Sequence, residues 1–124
     1  MLRVVLAFAL LVASASVATA DDFPGGLYAV AGTNPDGTIY EGEAIITNVS
    51  EFTCTIEWIT ADVSSFGICM GRRNKYAASY SLGDAVGLVI YELMADGSME
   101  GVWTVAGQDG VGTETLTPLP FLFP

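Results

Sequence analysis

The sequence predicts an all-β protein folded as an eight-stranded antiparallel up-and-down barrel. Three observations carry this prediction: short runs of alternating apolar and polar residues, glycine-containing turn sequences between the runs, and short connections. Alternation with a period of two is typical of a strand with one buried face. Connections of two to six residues join antiparallel neighbours, because a parallel crossover needs about a dozen residues or more. No convincing amphipathic helix pattern is present.

Eight strands are predicted in the chain after residue 26. Their ranges are 27–32, 38–47, 52–60, 66–72, 75–82, 85–93, 98–106 and 111–117. The alternation is clearest in the third strand, which places Phe52, Cys54, Ile56 and Trp58 on one face. Two Asp-Gly sequences, in the segments 34–37 and 95–98, predict hairpin turns, because glycine supplies the positive φ that such turns need.

Closure into a barrel follows from the number and shortness of the strands. An open sheet would leave two unpaired edges, and a closed barrel removes both of them. Gly42, Gly87 and Gly101 lie within predicted strands, where they suit the bends and bulges of a closed sheet. A two-sheet β-sandwich built from the same strands is the alternative.

The sixth predicted strand is apolar on both faces. If Val89, Tyr91 and Leu93 face inward, then Val86, Leu88 and Ile90 face outward. An apolar outer face is expected to be covered. Either the apolar, proline-containing tail at 118–124 or a second subunit would serve.

Residues 1–20 have the pattern of a secretory signal peptide. A single cation, Arg3, precedes an apolar run over 4–12, and the segment ends in an Ala-x-Ala sequence at 18–20. The run is too short for a membrane span, which needs about 20 apolar residues. The predicted organisation is therefore a signal peptide at 1–20, a flexible segment at 21–26, a β-barrel domain at 27–117 and the tail. We expect a periplasmic or secreted protein without a membrane span.

Composition excludes several classes of function. The chain has 14 acidic residues and no histidine, so a catalytic triad or metal site that uses histidine is excluded. Loss of Arg3 with the signal peptide would leave three cations and a formal charge of −11, which disfavours nucleic acid as a partner. No nucleophile is paired with a base. We predict that the protein is not an enzyme and has no cofactor or metal site.

The two cysteines are predicted to form a structural disulfide. If strands three and four form a hairpin centred near residues 61 and 62, Cys54 and Cys69 lie at equal distances from its tip. Export would place them in an oxidising compartment. Two buried free thiols are the alternative, and the spacing does not match the C-x-x-C pattern of redox sites.

The cations left after removal of the signal peptide form one short cluster, Arg72, Arg73 and Lys75. The cluster is a candidate patch for binding an anion such as a carboxylate or sulfate. A solvated turn whose charges pair with acidic neighbours is the favoured interpretation, because consecutive strand residues alternate between faces.

Aromatic residues fall mostly on the predicted inner face. The candidate ligand-binding residues are Tyr28, Tyr40, Trp58, Tyr76, Tyr80, Tyr91 and Trp103. An eight-stranded barrel is either filled by its side chains or holds one small ligand. These residues therefore form either a core or the wall of a cavity, with hydroxyl and indole N–H groups as polar contacts.

The segment 26–42, with its pattern G-x-Y-x-V-x-G-x-N-P-D-G-x-x-Y-x-G, resembles the start of small exported bacterial β-proteins, some of which carry a fibronectin-binding label. The segments 89–91, 96–103 and 112–116 match their later pattern. A G-x-Y start and a D-G-x-x-x-G-x-W hairpin are also distantly similar to avidin-like and other calycin barrels. The resemblance implies export and a β-barrel.

From these observations we expect an exported, non-catalytic barrel that binds a small ligand or an extracellular protein. The alternative is a structural or self-associating envelope protein without a small ligand. The apolar outer face of the sixth strand is the feature that favours the alternative.

Overall fold

The computed structural model describes residues 24–61 and 63–120 and confirms the predicted all-β fold. Its strands are β1 (Gly26–Thr33), β2 (Ile39–Asn48), β3 (Thr53–Thr60), β4 (Val63–Arg72), β5 (Lys75–Leu82), β6 (Ala85–Leu93), β7 (Met99–Val105) and β8 (Gly112–Pro118). Each strand pairs antiparallel with the next, and β8 pairs with β1. The sheet is therefore a closed barrel rather than a two-sheet sandwich, and both edges of the sheet are paired.

The strand boundaries agree with the sequence prediction except at the start of β4. This strand begins at Val63, three residues before the predicted start, because Thr60 pairs directly with Val63 across a two-residue turn. Ala61 takes a positive φ of 46°, as hairpin turns of this length require. The prediction missed these residues because Ser64 and Ser65 have the composition of a turn.

The barrel has two ends that differ in their loops. The turns 34–38, 61–62, 83–84 and 106–111 lie at one end, which we call the open end. The turns 49–52, 73–74 and 94–98 lie at the other, which we call the closed end. Side chains fill the interior of the barrel at the closed end and leave a cavity at the open end.

The β1–β2 and β6–β7 turns have the same pattern of hydrogen bonds to an aspartate. In the β1–β2 turn the Asp36 carboxylate accepts hydrogen bonds from the backbone N–H and the hydroxyl of Thr38, at 3.0 and 2.7 Å. In the β6–β7 turn Asp96 accepts the same pair of bonds from Ser98, at 2.9 and 2.6 Å. The glycine that follows each aspartate has a φ close to +90°. Both Asp-Gly sequences therefore form the predicted hairpin turns.

The predicted inner faces of β3 and β6 point into the barrel, as do the alternating residues of β5 and β7. The buried apolar residues include Cys54, Ile56, Trp58, Tyr76, Ala78, Val89, Tyr91 and Met99. The prediction that Phe52 lies on the inner face of β3 was wrong, because β3 begins only at Thr53 and Phe52 lies in the preceding bend. There its ring is 41% exposed and contacts the Arg72 guanidinium, 5.4 Å from the ring centroid.

Glycines within the strands leave space for aromatic rings of neighbouring strands. The pairing of residues runs without a break past Gly101 on both sides, so no bulge is present there. The pairing with β3 ends at Gly42, and the pairing with β7 ends at Gly87. A Cβ atom on Gly87 or Gly101 would overlap a tyrosine ring of the neighbouring strand.

The outward-facing residues of β6 are apolar, as predicted, and within the described residues they remain exposed. Val86, Leu88 and Ile90 are 53%, 57% and 63% exposed. The tail begins beside β1, where the Leu119 N–H donates to the Leu27 carbonyl at 2.9 Å, and β1 is three strands away from β6. The last four residues of the tail lie outside the described residues, as does the predicted signal peptide at 1–20.

Cys54 and Cys69 form the predicted disulfide. They are direct partners on β3 and β4, their Cα atoms are 4.9 Å apart, and both are buried near the closed end. The hairpin geometry inferred from the sequence is therefore correct. Within the described residues there is no helix of the length and hydropathy that a membrane span requires.

Candidate functional site

A cavity of about 290 Å³ occupies the open half of the barrel. It opens between the turns of the open end, and its lining comes from seven of the eight strands and two of the turns. The lining residues are Asn34, Tyr40, Trp58, Thr60, Ala61, Val63, Ser65, Tyr80, Leu82, Val89, Trp103, Val105 and Glu114. At about 30 Å³ of liquid volume per water molecule, this space equals roughly ten waters, or one small organic molecule.

Glu114 is the buried carboxylate at the inner end of this cavity, and it is 8% exposed. The Tyr40 hydroxyl donates to its Oε1 atom at 2.8 Å, and the Trp58 indole N–H donates to its Oε2 atom at 3.1 Å. The Tyr91 hydroxyl also donates to Oε2, and the Trp58 N–H lies 3.0 Å from that hydroxyl. Three side chains from β2, β3 and β6 thus converge on one carboxylate from β8.

The period of β8 explains why a carboxylate lies inside the barrel. Gly112, Glu114 and Leu116 face inward and are buried, while Thr113 and Thr117 face out. The neighbours of Glu114 on the two adjacent strands are both glycines, Gly32 and Gly101. Because neither glycine has a side chain, the tyrosine rings can extend across them and reach the carboxylate.

Each of four aromatic rings lies against a glycine that is its direct partner on the next strand. The pairs are Tyr40 with Gly32, Tyr80 with Gly87, Tyr91 with Gly101, and Trp103 with Gly112. In each pair a Cβ atom on the glycine would lie within 2.1–2.7 Å of the ring. The glycines therefore determine where the rings of the cavity wall lie.

The rings around the cavity form two edge-to-face pairs. The centroids of Tyr40 and Trp103 are 6.2 Å apart with planes inclined by 70°, and those of Trp58 and Tyr80 are 5.0 Å apart with planes inclined by 60°. Both arrangements are favourable for aromatic quadrupoles. The Trp103 indole N–H is buried and has no hydrogen-bond partner among the described residues.

Burial and the carboxylate shift the tyrosine ionisations. Desolvation, followed by the charge of Glu114, raises the pKa of Tyr80 to about 12. The same two causes raise the pKa of Tyr40 and of Tyr91 well above the usual value, and their hydrogen bonds to Glu114 add to the effect. These tyrosines therefore stay neutral at physiological pH and remain hydrogen-bond donors.

The structure divides the predicted aromatic residues into two groups. Tyr40, Trp58, Tyr80 and Trp103 line the cavity, and Tyr91 lies beneath it. Tyr28 and Tyr76 lie instead at the closed end, where the interior leaves a void of only about 10 Å³. The aromatic inner face is thus a core in one half of the barrel and a cavity wall in the other.

Tyr28 and Tyr76 belong to the packed interior of the closed end. The Tyr28 hydroxyl donates to the Pro24 carbonyl, which ties the segment before β1 to the barrel interior. Desolvation is the main cause that raises the pKa of Tyr28 to about 12, and it also raises the pKa of Tyr76. Neither residue lines the 290 Å³ cavity.

The basic cluster lies at the closed end, away from the cavity. Arg73 and Asn74 form the β4–β5 turn and both have positive φ. Lys75 forms an exposed ion pair with Glu92 at 3.3 Å, and Arg72 lies over the Phe52 ring. Two of the three cations therefore have local partners, as expected for a solvated turn.

Glu114 is the site residue that the sequence analysis missed. The signal was present, because Glu114 occupies an inward position in the alternation of β8. A charged residue at such a position is rarely buried without a partner, so it marks a candidate site. Its hydrogen-bond donors come from strands far away in the sequence, and the sequence alone does not place them.

Three of the similar solved structures are designed or redesigned β-barrels. A de novo designed fluorescence-activating β-barrel matches with a TM-score of 0.64 at 16% identity, covering 84% of this chain and all of that one. A redesigned β-barrel, b11L5F_LGL, matches with a TM-score of 0.65 at 22% identity, covering 77% of this chain and 91% of that one. The redesigned barrel mFAP1, described as bound to DFHBI, matches with a TM-score of 0.61 at 21% identity over 75% and 93% of the two chains.

These similarities show the barrel fold, at identities too low to carry function. No protein-family model matches the chain, and no curated protein matches it at a significant level.

Proposed function

We propose that this protein is a non-catalytic barrel that binds a small organic ligand in its open half. The observation that carries the proposal is the cavity of about 290 Å³, with aromatic walls and a few convergent polar groups. This combination is typical of small-molecule sites. The similar designed barrels, described as fluorescence-activating or as bound to DFHBI, support the idea that a barrel of this size has room for a ligand.

Tryptophan fluorescence tests this proposal directly. The chain has two tryptophans, and Trp58 and Trp103 both line the cavity. A ligand that enters the cavity should therefore change the fluorescence. Native mass spectrometry of the protein purified from its own host would show whether a ligand is retained and would give its mass.

A pair of neighbouring serines provides a matched variant and control. Ser65 lines the cavity, whereas Ser64 lies on the outer face of β4, where it donates to Glu57 at 3.0 Å. We expect Ser65→Leu to weaken ligand binding by about tenfold or more, since the added side chain takes up ligand space, and Ser64→Leu to leave binding unchanged. Equal binding by both variants would place the ligand outside the cavity and contradict the proposal.

We propose that the protein acts outside the cytoplasm. The disulfide between Cys54 and Cys69 supports this, because such bonds persist in oxidising compartments. The predicted signal peptide adds to the argument. The mass of the protein recovered from its host tests it: cleavage after Ala20 should give a chain that starts at Asp21 and carries the disulfide. An uncleaved chain in the cytoplasmic fraction would contradict it.

Self-association is a second candidate function, and the outer face of β4–β7 favours it. Its large side chains are Phe66, Ile68, Met70, Val86, Leu88, Ile90 and Val102, all at least half exposed. They are joined across β5 by the small residues Ala77, Ser79 and Ser81. We define these ten residues as the outer apolar face.

A second copy of the chain is the partner that fits this face. A standard interface buries roughly 800 Å² per partner, and seven large apolar side chains that are each at least half exposed offer a continuous surface for one. It carries no charge, so two acidic copies can approach each other there with the least repulsion. The same surface would serve an extracellular protein partner, which a host-purified sample would reveal as a complex of two different chains.

Sedimentation analysis tests this candidate. We expect a dimer, and we expect the double variant Ile68→Glu/Leu88→Glu to be a monomer, because two buried charges in each copy would oppose association. Ala31→Glu, on the exposed face of β1, adds a charge away from the outer apolar face, since the neighbours of β1 are β2 and β8, and it should remain dimeric. A wild-type protein that is strictly monomeric at millimolar concentration would overturn the candidate.

A further inference from the structure

The electrostatics of the cavity specify the ligand more closely than its shape does. Glu114 is buried at the inner end of the cavity, and its three hydrogen-bond partners, Tyr40, Trp58 and Tyr91, are all neutral donors. The three cations of the described residues are Arg72, Arg73 and Lys75, and all of them lie at the closed end. Within this part of the chain the Glu114 carboxylate therefore has no positive partner.

The open end of the barrel is acidic as well. Asp36, Asp84 and Asp109 lie in three of its four turns, and none of the described residues in those turns is a lysine or an arginine. The potential at the mouth is therefore negative. Such a mouth raises the local concentration of cations and repels carboxylates and phosphates.

The walls of the cavity suit the same kind of ligand. Four rings surround the space, those of Tyr40, Trp58, Tyr80 and Trp103, and within each edge-to-face pair the planes are steeply inclined to each other. A cation that enters such a space meets aromatic rings on more than one side. Ring faces carry a negative quadrupole, and cages of this kind bind alkylated ammonium groups.

We propose that the cavity binds a small organic ammonium ion, with its charge directed toward Glu114 and its alkyl groups against the four aromatic rings. The inference rests on the proposed ligand-binding function and adds the charge class of the ligand. Burial of Glu114 without a cation in the protein is then explained, because the ligand supplies the missing positive charge.

Choline and 3,3-dimethylbutan-1-ol form a matched pair of probes for this inference. The two molecules have the same shape and the same hydroxyl, and they differ in that one has a quaternary nitrogen where the other has carbon. Titration followed by tryptophan fluorescence and by calorimetry gives both affinities. We expect choline to bind about tenfold or more tightly than the alcohol, since a desolvated cation–π contact and a nearby carboxylate both act on the charge alone.

Glu114→Gln tests the role of the carboxylate, and Glu43→Gln is its control. Glu43 is exposed on the outer face of β2, so its substitution removes an equal charge away from the cavity. We expect Glu114→Gln to reduce choline affinity by about tenfold while the affinity for the alcohol changes little. Glu43→Gln should leave both affinities as they are in the wild type.

A second variant keeps the test decisive if Glu114→Gln does not fold. Tyr80→Leu removes one ring from the wall, and within the described residues the tyrosine hydroxyl that is lost makes one long contact, 3.4 Å from the Thr104 carbonyl. We expect this variant to lose most of the preference for choline over the alcohol, because an aliphatic side chain has no quadrupole.

The possible results separate the two proposals. If choline and the alcohol bind equally well, or the alcohol binds better, the cavity is a ligand site for neutral molecules and the ammonium inference is overturned. If choline fails to bind at millimolar concentration, the inference is overturned as well. The ligand-binding function itself fails only if Ser65→Leu and Ser64→Leu bind ligands equally.

Discussion

Reduction of the Cys54–Cys69 disulfide should lower the free energy of unfolding by about 3 kcal/mol. The two cysteines are 15 residues apart in the sequence. A cross-link that closes a loop of this length removes chain entropy from the unfolded state worth about 3 kcal/mol at 25 °C. For a domain of this size, each 1 kcal/mol corresponds to about 4–8 °C in Tm, so we expect Tm to fall by roughly 15 °C.

The assay is urea unfolding followed by tryptophan fluorescence, with and without a phosphine reductant. Reduction leaves every residue in place and replaces the disulfide by two thiols, which are only weak hydrogen-bond donors, so no cavity is introduced. The double variant Cys54→Ala/Cys69→Ala is the control, since its unfolding curve should not respond to the reductant. Ligand affinity of the reduced protein should be unchanged, because the disulfide lies near the closed end, away from the cavity.

A loss below about 1 kcal/mol would refute the loop-closure argument for this hairpin, because the entropy expected for a loop of this length would then be missing. A response of the double alanine variant to the reductant would show that the reagent acts on something other than the disulfide. Loss of ligand binding on reduction would refute the separation of the two ends of the barrel.

Three further predictions concern the tyrosines and the turns. Gly32→Ala should lower the free energy of unfolding in urea by about 2 kcal/mol. The new Cβ would lie 2.1 Å from Tyr40 Cζ, so the ring must move and its hydroxyl must give up its hydrogen bond to Glu114. An unchanged unfolding curve would show that the ring has another position open to it. At alkaline pH the protein should lose stability, because the pKa values of Tyr28 and Tyr80 are raised to about 12. The contribution of these two tyrosines to the free energy of unfolding is complete below pH 10 and is lost as the pH rises through 12. Thermal unfolding between pH 9 and 12 measures this, and a flat Tm over that range would contradict it. In acid the protein should lose stability as the pH falls. Hydrogen bonds from Thr38 and Ser98 lower the pKa values of Asp36 and Asp96. The contribution of these aspartates to the free energy of unfolding is therefore present above pH 3.8 and is lost as the pH falls through the lowered values. Asp36→Asn/Asp96→Asn should therefore flatten the acid side of the stability profile, and an unaltered profile would show that these turns do not contribute.

Local patterns were sufficient to predict most of the fold. The alternation in β3 and the Asp-Gly turns are encoded within a few residues, because strand periodicity and turn geometry depend on near neighbours in the chain. The equal spacing of Cys54 and Cys69 about a hairpin tip predicted a pairing that the structure contains. The prediction was wrong at the start of β4 and at Phe52, where a tight turn and a bend changed the local order.

The candidate site was predicted only in part. The sequence indicated an aromatic interior, and four of the seven aromatic residues named do line the cavity. It did not separate those four from Tyr28 and Tyr76, because all of them occupy equivalent inward positions on their strands. Their difference is one of height along the barrel axis, which depends on the stagger of all eight strands after closure.

The sequence by itself determined an acidic all-β chain without histidine, its strands, its turns and its disulfide. The tertiary structure alone decided that Glu114 receives hydrogen bonds from three other strands, that glycines on neighbouring strands make room for the rings, and that the cations lie at the opposite end from the cavity. The physical reason is that strand pattern is a property of adjacent residues, whereas a cavity is formed by residues that only the closure of the sheet brings together.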